Sequence, residues 1–134
     1  MRVGRVEASA VRYPEPNNDG KIRSLTLVRV ETDDGLVGWG EAITGGQEAS
    51  LAVAFVVERR LAPLVVGADP RDVAGVWDRL RDATYWDGHG GLVTFGISAI
   101  DGDLWVAGIR ERGSSADLRT EPAGGVQARR LLRR

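Results

Sequence analysis

The stretch Val28–Ala42, VRVETDDGLVGWGEA, decides the fold. Upstream, Leu25, Leu27 and Glu31 alternate with Thr26, Val28 and Val30, the period-two pattern of a strand. Thr32-Asp33-Asp34-Gly35 carries an Asp-Gly hairpin signal, and Leu36 to Ala42 returns antiparallel. On the return strand Val37, Trp39 and Glu41 share one face, while Leu36, Gly38, Gly40 and Ala42 share the other. Glycine in a strand marks close approach of another backbone. The second face is nearly bare, which predicts a helix or another domain pressed against it. Whether Gly38-Trp39-Gly40-Glu41 belongs to an active site or supports one is the functional question of the chain.

Working outward, Val3 to Tyr13 alternates loosely and predicts a further strand. PEPNNDGK, Pro14 to Lys21, is turn chemistry and predicts a mobile loop. Ile43-Thr44-Gly45-Gly46-Gln47 predicts a second polar loop. Leu51, Ala54, Phe55, Glu58 and Leu61 lie near helical spacing, and Pro63 and Gly67 are expected to end that helix. Asp69-Pro70 reads as an N-cap with proline at the first helical position, followed by a stripe of Val73, Val76, Trp77 and Leu80. Gly88-His89-Gly90-Gly91 breaks the chain. A third helix is expected over about Thr94 to Arg110, with Ile97, Ile100, Leu104 and Trp105 on its apolar face. Strands followed by helices mean α+β: a three-stranded antiparallel meander, then a helical half of about three helices. The last stretch, RERGSSADLRTEPAGGVQARRLLRR, carries seven arginines and no sustained period. It is expected to be an irregular or disordered tail, apart from a short helix over Val126 to Leu132.

Composition narrows the function. The 134 residues are enough for one ordinary domain, and 43% hydrophobic content can supply its core. A net charge of −1 argues against a nucleic-acid binder. With no cysteine, disulfides and thiolate zinc sites are excluded; the lone His89 excludes a histidine-rich metal site. No long apolar run suggests a signal peptide or a membrane span, so a cytoplasmic chain is expected. Of 18 basic residues only Lys21 is a lysine, leaving one candidate for any lysine base.

Three blocks carry a resemblance. VRVETDDGLVGWGEA resembles the second hairpin of the N-terminal domain in the mandelate racemase and muconate lactonising branch of the enolase superfamily. LAPLVVGADPRDVAGVWDRL resembles the same domain's helical half, through P-x-x-x-G-x-D-P and the tryptophan that follows. GISAIDGDLWVAG, Gly96 to Gly108, is similar to the family's A-I-[SA]-A-[IL]-D-x-A-L-W-D segment. Here Gly102-Asp103 stands where a hydrophobe and alanine are usual, and the aspartate after Leu-Trp is absent. Together the blocks cover about residues 1 to 108, expected to be the capping domain, with 109–134 as its arginine-rich tail.

The resemblance implies an α+β cap joined to a (β/α) barrel. The barrel supplies the acidic Mg²⁺ ligands and the acid/base residues for removing a proton next to a carboxylate. Full-length relatives are dehydratases, racemases or cycloisomerases, and the polar cap loops suggest a sugar acid. On that reading Gly38-Trp39-Gly40-Glu41 is scaffold, and Glu41 is a strand-end carboxylate rather than a catalytic acid or metal ligand. The loops Pro14–Lys21 and Ile43–Gln47 match the loops that close over substrate, which makes Asn17, Asn18, Asp19, Thr44 and Gln47 the candidate substrate contacts. No catalytic residue and no metal ligand is assigned to this chain. His89 is read as a surface residue, and Trp77, Trp86 and Trp105 as core or interdomain contacts rather than a ligand cage. The pairs Arg129-Arg130 and Arg133-Arg134 are read as a solvated tail.

A barrel takes roughly 250 residues, and 26 follow Gly108. The expected state is therefore a cap whose barrel is missing, the product of a truncated or frameshifted gene, inactive alone and binding no Mg²⁺ itself. The alternative is an interaction module pairing with itself or with a separate barrel chain.

Overall fold

The computed structural model describes residues 1–111, with the side chains of residues 1–104. The Trp105 side chain and the proposed tail from residue 112 lie outside the described residues.

Strands β1 (Val3–Pro14), β2 (Ile22–Thr32) and β3 (Val37–Thr44) form one sheet in the order β1-β2-β3, both pairings antiparallel. The meander expected from period-two alternation is present. Gly35, at φ 88°, makes the left-handed turn the Asp-Gly signal required. Thr32 locks that turn: its hydroxyl oxygen accepts from Leu36 N at 3.0 Å, and its backbone N–H donates to Leu36 O at 2.9 Å.

Helices cover one face of the sheet. The first expected helix is a continuous run: α1 (Gln47–Val56), a π turn (Val57–Leu61) and α2 (Ala62–Val65). Pro63 does not end it; helix continues to Val65. Proline removes the N–H that would bond Arg59 O, and its ring crowds that carbonyl. The widened turn immediately before Pro63 absorbs both defects, and Gly67, at φ 86°, then turns the chain. A short 3₁₀ turn, Tyr85–Asp87, precedes the next helix. Helix α4 (Gly91–Glu111) begins earlier than expected and continues past Gly108.

Helix α3 (Val73–Ala83) corrects one reading. Its N-cap is Asp72, not Asp69: Asp72 Oδ1 accepts from Gly75 N at 3.1 Å. Asp69 is spent on Arg71, accepting from its backbone N–H at 3.0 Å and its guanidinium at 2.7 Å. That local turn bends the chain ahead of the helix, and capping falls to the next aspartate. The Arg71 hydrogen bonds hold Asp69 well below the usual carboxylate range. Asp72→Ala is expected to cost about 1 kcal/mol, the usual value of a lost cap. Thermal unfolding should show it as a lower midpoint, and an unchanged midpoint would reassign the cap.

The core lies between the helices and the inner face of the sheet. Val28 and Val30 of β2 meet Val53, Val57, Leu61, Ile97, Ile100 and Leu104 of the helical layer, all at most 1% exposed. Trp77 packs against this core as expected, whereas Trp86 is 94% exposed.

The bare face of β3 is where α4 sits. A Cβ added at Gly40 would lie 2.0 Å from Ala99 O, and one at Gly38 2.7 Å from Asp103 O. Both obstacles are backbone atoms, which cannot rotate aside. Gly38-Trp39-Gly40-Glu41 is therefore the seat of a helix. Trp39 and Glu41 lie on the opposite, exposed face.

Candidate functional site: the two loops at one end of the sheet

Strand register decides which loops share an end. Arg12 pairs with Ser24, and Ser24 pairs with Thr44. This row crosses the whole sheet, so the β1–β2 loop and the β3–α1 loop leave from the same end.

The β1–β2 loop is built on Glu15. Its backbone carbonyl accepts from Asn18 N at 3.2 Å and Gly20 N at 3.1 Å, and its N–H donates to Lys21 O at 3.0 Å. Asp19 (φ 52°) and Gly20 (φ 71°) take the left-handed conformations that aspartate and glycine tolerate. The Glu15 carboxylate accepts from Arg23 at 2.6 Å and Asn18 Nδ2 at 3.1 Å. These hydrogen bonds, Arg23 foremost, lower the Glu15 pKa and keep the carboxylate ionised.

The β3–α1 loop is anchored from beneath. Thr26, fully buried, donates its hydroxyl to Ser50 O at 2.8 Å. Ser50 Oγ lies 2.5 Å from Thr44 Oγ1, and both hydroxyls reach Gly46 O at 3.2 Å. Gln47, the first residue of α1, accepts from the Arg12 guanidinium through Oε1. Arg12 thus spans from the end of β1 to the second loop.

The five sequence candidates divide. All lie at this end of the sheet. Asn17 and Asp19 are exposed and carry no side-chain hydrogen bond among the described residues. Asn18 is engaged by Glu15, Gln47 by Arg12, and Thr44 faces inward to Ser50. Two residues that join the arrangement, Arg12 and Ser50, escaped the sequence reading. Neither follows from spacing, because strand register and the entry of α1 bring them in.

The remaining ionisable candidates stand apart. Glu41 is exposed on the far face of the sheet. His89 is exposed, its Nδ1 against the Arg81 guanidinium and its ring edge-on to Tyr85 at 5.6 Å. A shallow cleft of about 270 Å³, lined by Leu27, Trp39, Gly40, Glu41 and Gly102, lies beside α4 and includes none of the loop residues. Among the described residues no three His, Cys, Asp or Glu side chains converge as metal ligands, so their donor set does not fit a resident Mg²⁺. No described helix is long and apolar enough to cross a membrane.

Comparisons with known proteins agree with this architecture. The family described as mandelate racemase / muconate lactonizing enzyme, N-terminal domain, matches residues 19–117. The L-rhamnonate dehydratase of Saccharopolyspora erythraea is 43% identical over 101 residues, covering 72% of this chain and 25% of that protein. A D-galactonate dehydratase family member of Streptomyces bingchenggensis is 37% identical over 83 residues, 62% of this chain and 20% of that protein. Among solved structures, a racemase from Streptomyces coelicolor A3(2) with bound magnesium aligns with TM-score 0.66 at 30% identity, over 77% of this chain and 30% of that one. The chain thus spans a fifth to a quarter of the length of these curated relatives. It belongs to the mandelate racemase/muconate lactonizing enzyme family of the enolase superfamily, and its described residues form the N-terminal domain.

Proposed function

We propose that this chain serves as the substrate-enclosing cap of a dehydratase, racemase or cycloisomerase that removes a proton next to a carboxylate, with a sugar acid as substrate. The observation that carries the reading is the row Arg12–Ser24–Thr44, which sets both polar loops at one end of the sheet. Asn17, Asn18 and Asp19 come from one loop, Thr44 and Gln47 from the other. Amides and a carboxylate suit the hydroxyls of a sugar acid, because they offer both donors and acceptors. The cap is assigned to residues 1–108, with 109–134 as an arginine-rich extension. Holding Mg²⁺ and moving the proton are assigned to the barrel of the whole enzyme, since the described residues offer no ligand cluster. The cytoplasm is the expected site of action.

The test grafts this chain onto the barrel of the L-rhamnonate dehydratase relative, in place of that protein's own cap. Conversion of the sugar acid to the keto acid is then followed with Mg²⁺ present. The chain alone should show no turnover. The graft should turn over, and Asn17→Ala with Gln47→Ala should raise KM about tenfold, a loss of binding of roughly 1.4 kcal/mol. Turnover by the chain alone, or an unchanged KM in an active graft, would refute the proposal.

A second reading is supported by exposed apolar side chains. Leu51 and Phe55 of α1 are 53% and 65% exposed, and Trp86 protrudes nearly whole. Such residues suit a protein contact, with a second copy or a separate barrel chain as partner. Light scattering across concentration tests self-pairing: a Phe55→Ser-sensitive dimer supports it, and a monomer at high concentration excludes it.

A further inference from the structure

Asp103 sits in the seam between β3 and α4. It is fully buried, and neither carboxylate oxygen has a hydrogen-bond partner among the described residues. Its side chain covers the bare glycine face: an added Cβ would lie 3.2 Å from Oδ1 at Gly38 and 3.3 Å from Cγ at Gly40. The seam is tight and offers the carboxyl no polar partner among the described residues. A buried, unpaired carboxylate is costly when ionised, and the neutral acid is the form such a site tolerates.

Among the described residues, no charge on the surrounding elements compensates it. On β3, Glu41 projects from the opposite face. On β2, Arg29 and Glu31 occupy that far face and pair with each other at 2.7 Å. Glu48 of α1 and Glu58, Arg59 and Arg60 of the π turn are exposed. Of the α3 charges, Asp78, Arg79 and Asp82 are exposed, and Arg81 is engaged with His89. Among the described side chains of α4, Asp101, whose pKa is also raised by burial, adds like charge.

We propose that Asp103 is a proton-operated latch on the β3–α4 seam: as the neutral acid it lets α4 seat on Gly38 and Gly40, and as the carboxylate it drives the C-terminal half of α4 off the sheet. Burial pushes the Asp103 pKa up from 3.8 to about 8. The folded state therefore holds a proton that the unfolded chain releases. Stability from this group is fully present below pH 3.8 and is lost progressively up to pH 8, which places the latch within the neutral range.

The experiment measures urea unfolding of the full chain and of Asp103→Asn from pH 4.5 to pH 8.5, with NMR of the Asp103 carboxyl carbon and the Gly38 and Gly40 amides. For wild type the folding constant should fall up to about tenfold per pH unit across the middle of this range, the slope of one proton. Asp103→Asn, isosteric and without the ionisation, should remove that slope and fold more stably at pH 8. The Asp103 carboxyl and both glycine amides should titrate together above pH 6. The proposal is overturned if Asp103→Asn keeps the wild-type slope, or if the carboxyl titrates near pH 4 with the glycine signals unmoved. Failure of both proteins to fold at pH 5, where the latch is closed, would overturn it equally.

Discussion

Gly40→Ala is expected to abolish the folded state. The new Cβ would lie 2.0 Å from Ala99 O and 2.9 Å from Ala99 C. Non-bonded carbon and oxygen do not approach so closely, and both atoms belong to helix backbone. Relief requires lifting α4 from β3. Helix α4 carries Ile97, Ile100 and Leu104, each fully buried, so the lift exposes core. Overpacking a core ordinarily costs about 1–3 kcal/mol, and a backbone obstacle puts this case above that range. Total stability of a small domain is only about 5–15 kcal/mol. Circular dichroism at pH 5 should show loss of the cooperative thermal transition. Gly102→Ala is the internal control. It lies on the same helix with open space around its added methyl, and alanine favours helix by about 1 kcal/mol over glycine. It should raise the midpoint. Equal behaviour of the two variants would contradict the close approach at Gly40.

Leu61→Ala is expected to cost about 3–5 kcal/mol, the upper part of the range for a buried leucine. Leu61 is fully buried in the π turn, in one cluster with Val57, Ile97 and Ile100. Its Cδ1 lies 3.0 Å from where a Cβ on Gly96 would be, so α4 is packed tightly over it. The Pro63-linked π turn holds this backbone, so the site cannot easily collapse around the vacancy. Urea unfolding should show a lower midpoint with unchanged slope. Leu51→Ala, at a position 53% exposed, should change stability by a few tenths of a kcal/mol at most. A loss at Leu61 below about 1 kcal/mol would mean that the site relaxes, contrary to dense packing around it.

Several features were legible before any coordinates. Alternation over Leu25–Glu31 and Leu36–Ala42 assigned each side chain to a face, because strand periodicity is local geometry. The glycines at positions 38 and 40, both on one face, announced a close neighbour, and α4 is that neighbour. The stripe of Val73, Val76, Trp77 and Leu80 located α3. Its start was read at the wrong aspartate, because Asp69 and Asp72 carry the same capping chemistry. Only the competing Arg71 contact, made once the chain is folded, separates them. For Asp103 a signal was present. It lies three residues after Ile100, on the stripe that Ile97 and Leu104 define, but a carboxyl on an apolar stripe is ordinarily read as its solvated margin.

The candidate site was legible as two polar loops and no further. Turn residues mark loops through their own backbone preferences, so both loops were evident one residue at a time, but their bounds were not: Pro14 ends β1, Ile43 and Thr44 end β3, and Gln47 opens α1. That the loops share one end depends on β1–β2–β3 register, a relation between residues far apart in the chain. That Gln47 meets Arg12, while Thr44 turns inward to Ser50, depends on how α1 enters above Thr26. The sequence by itself determined the order of elements, the two faces of the strands and the family, because those rest on local periodicity and motif. Only the tertiary structure decided which loops converge, which aspartate caps and which aspartate is buried alone, because each is set by contacts between segments that periodicity leaves unrelated.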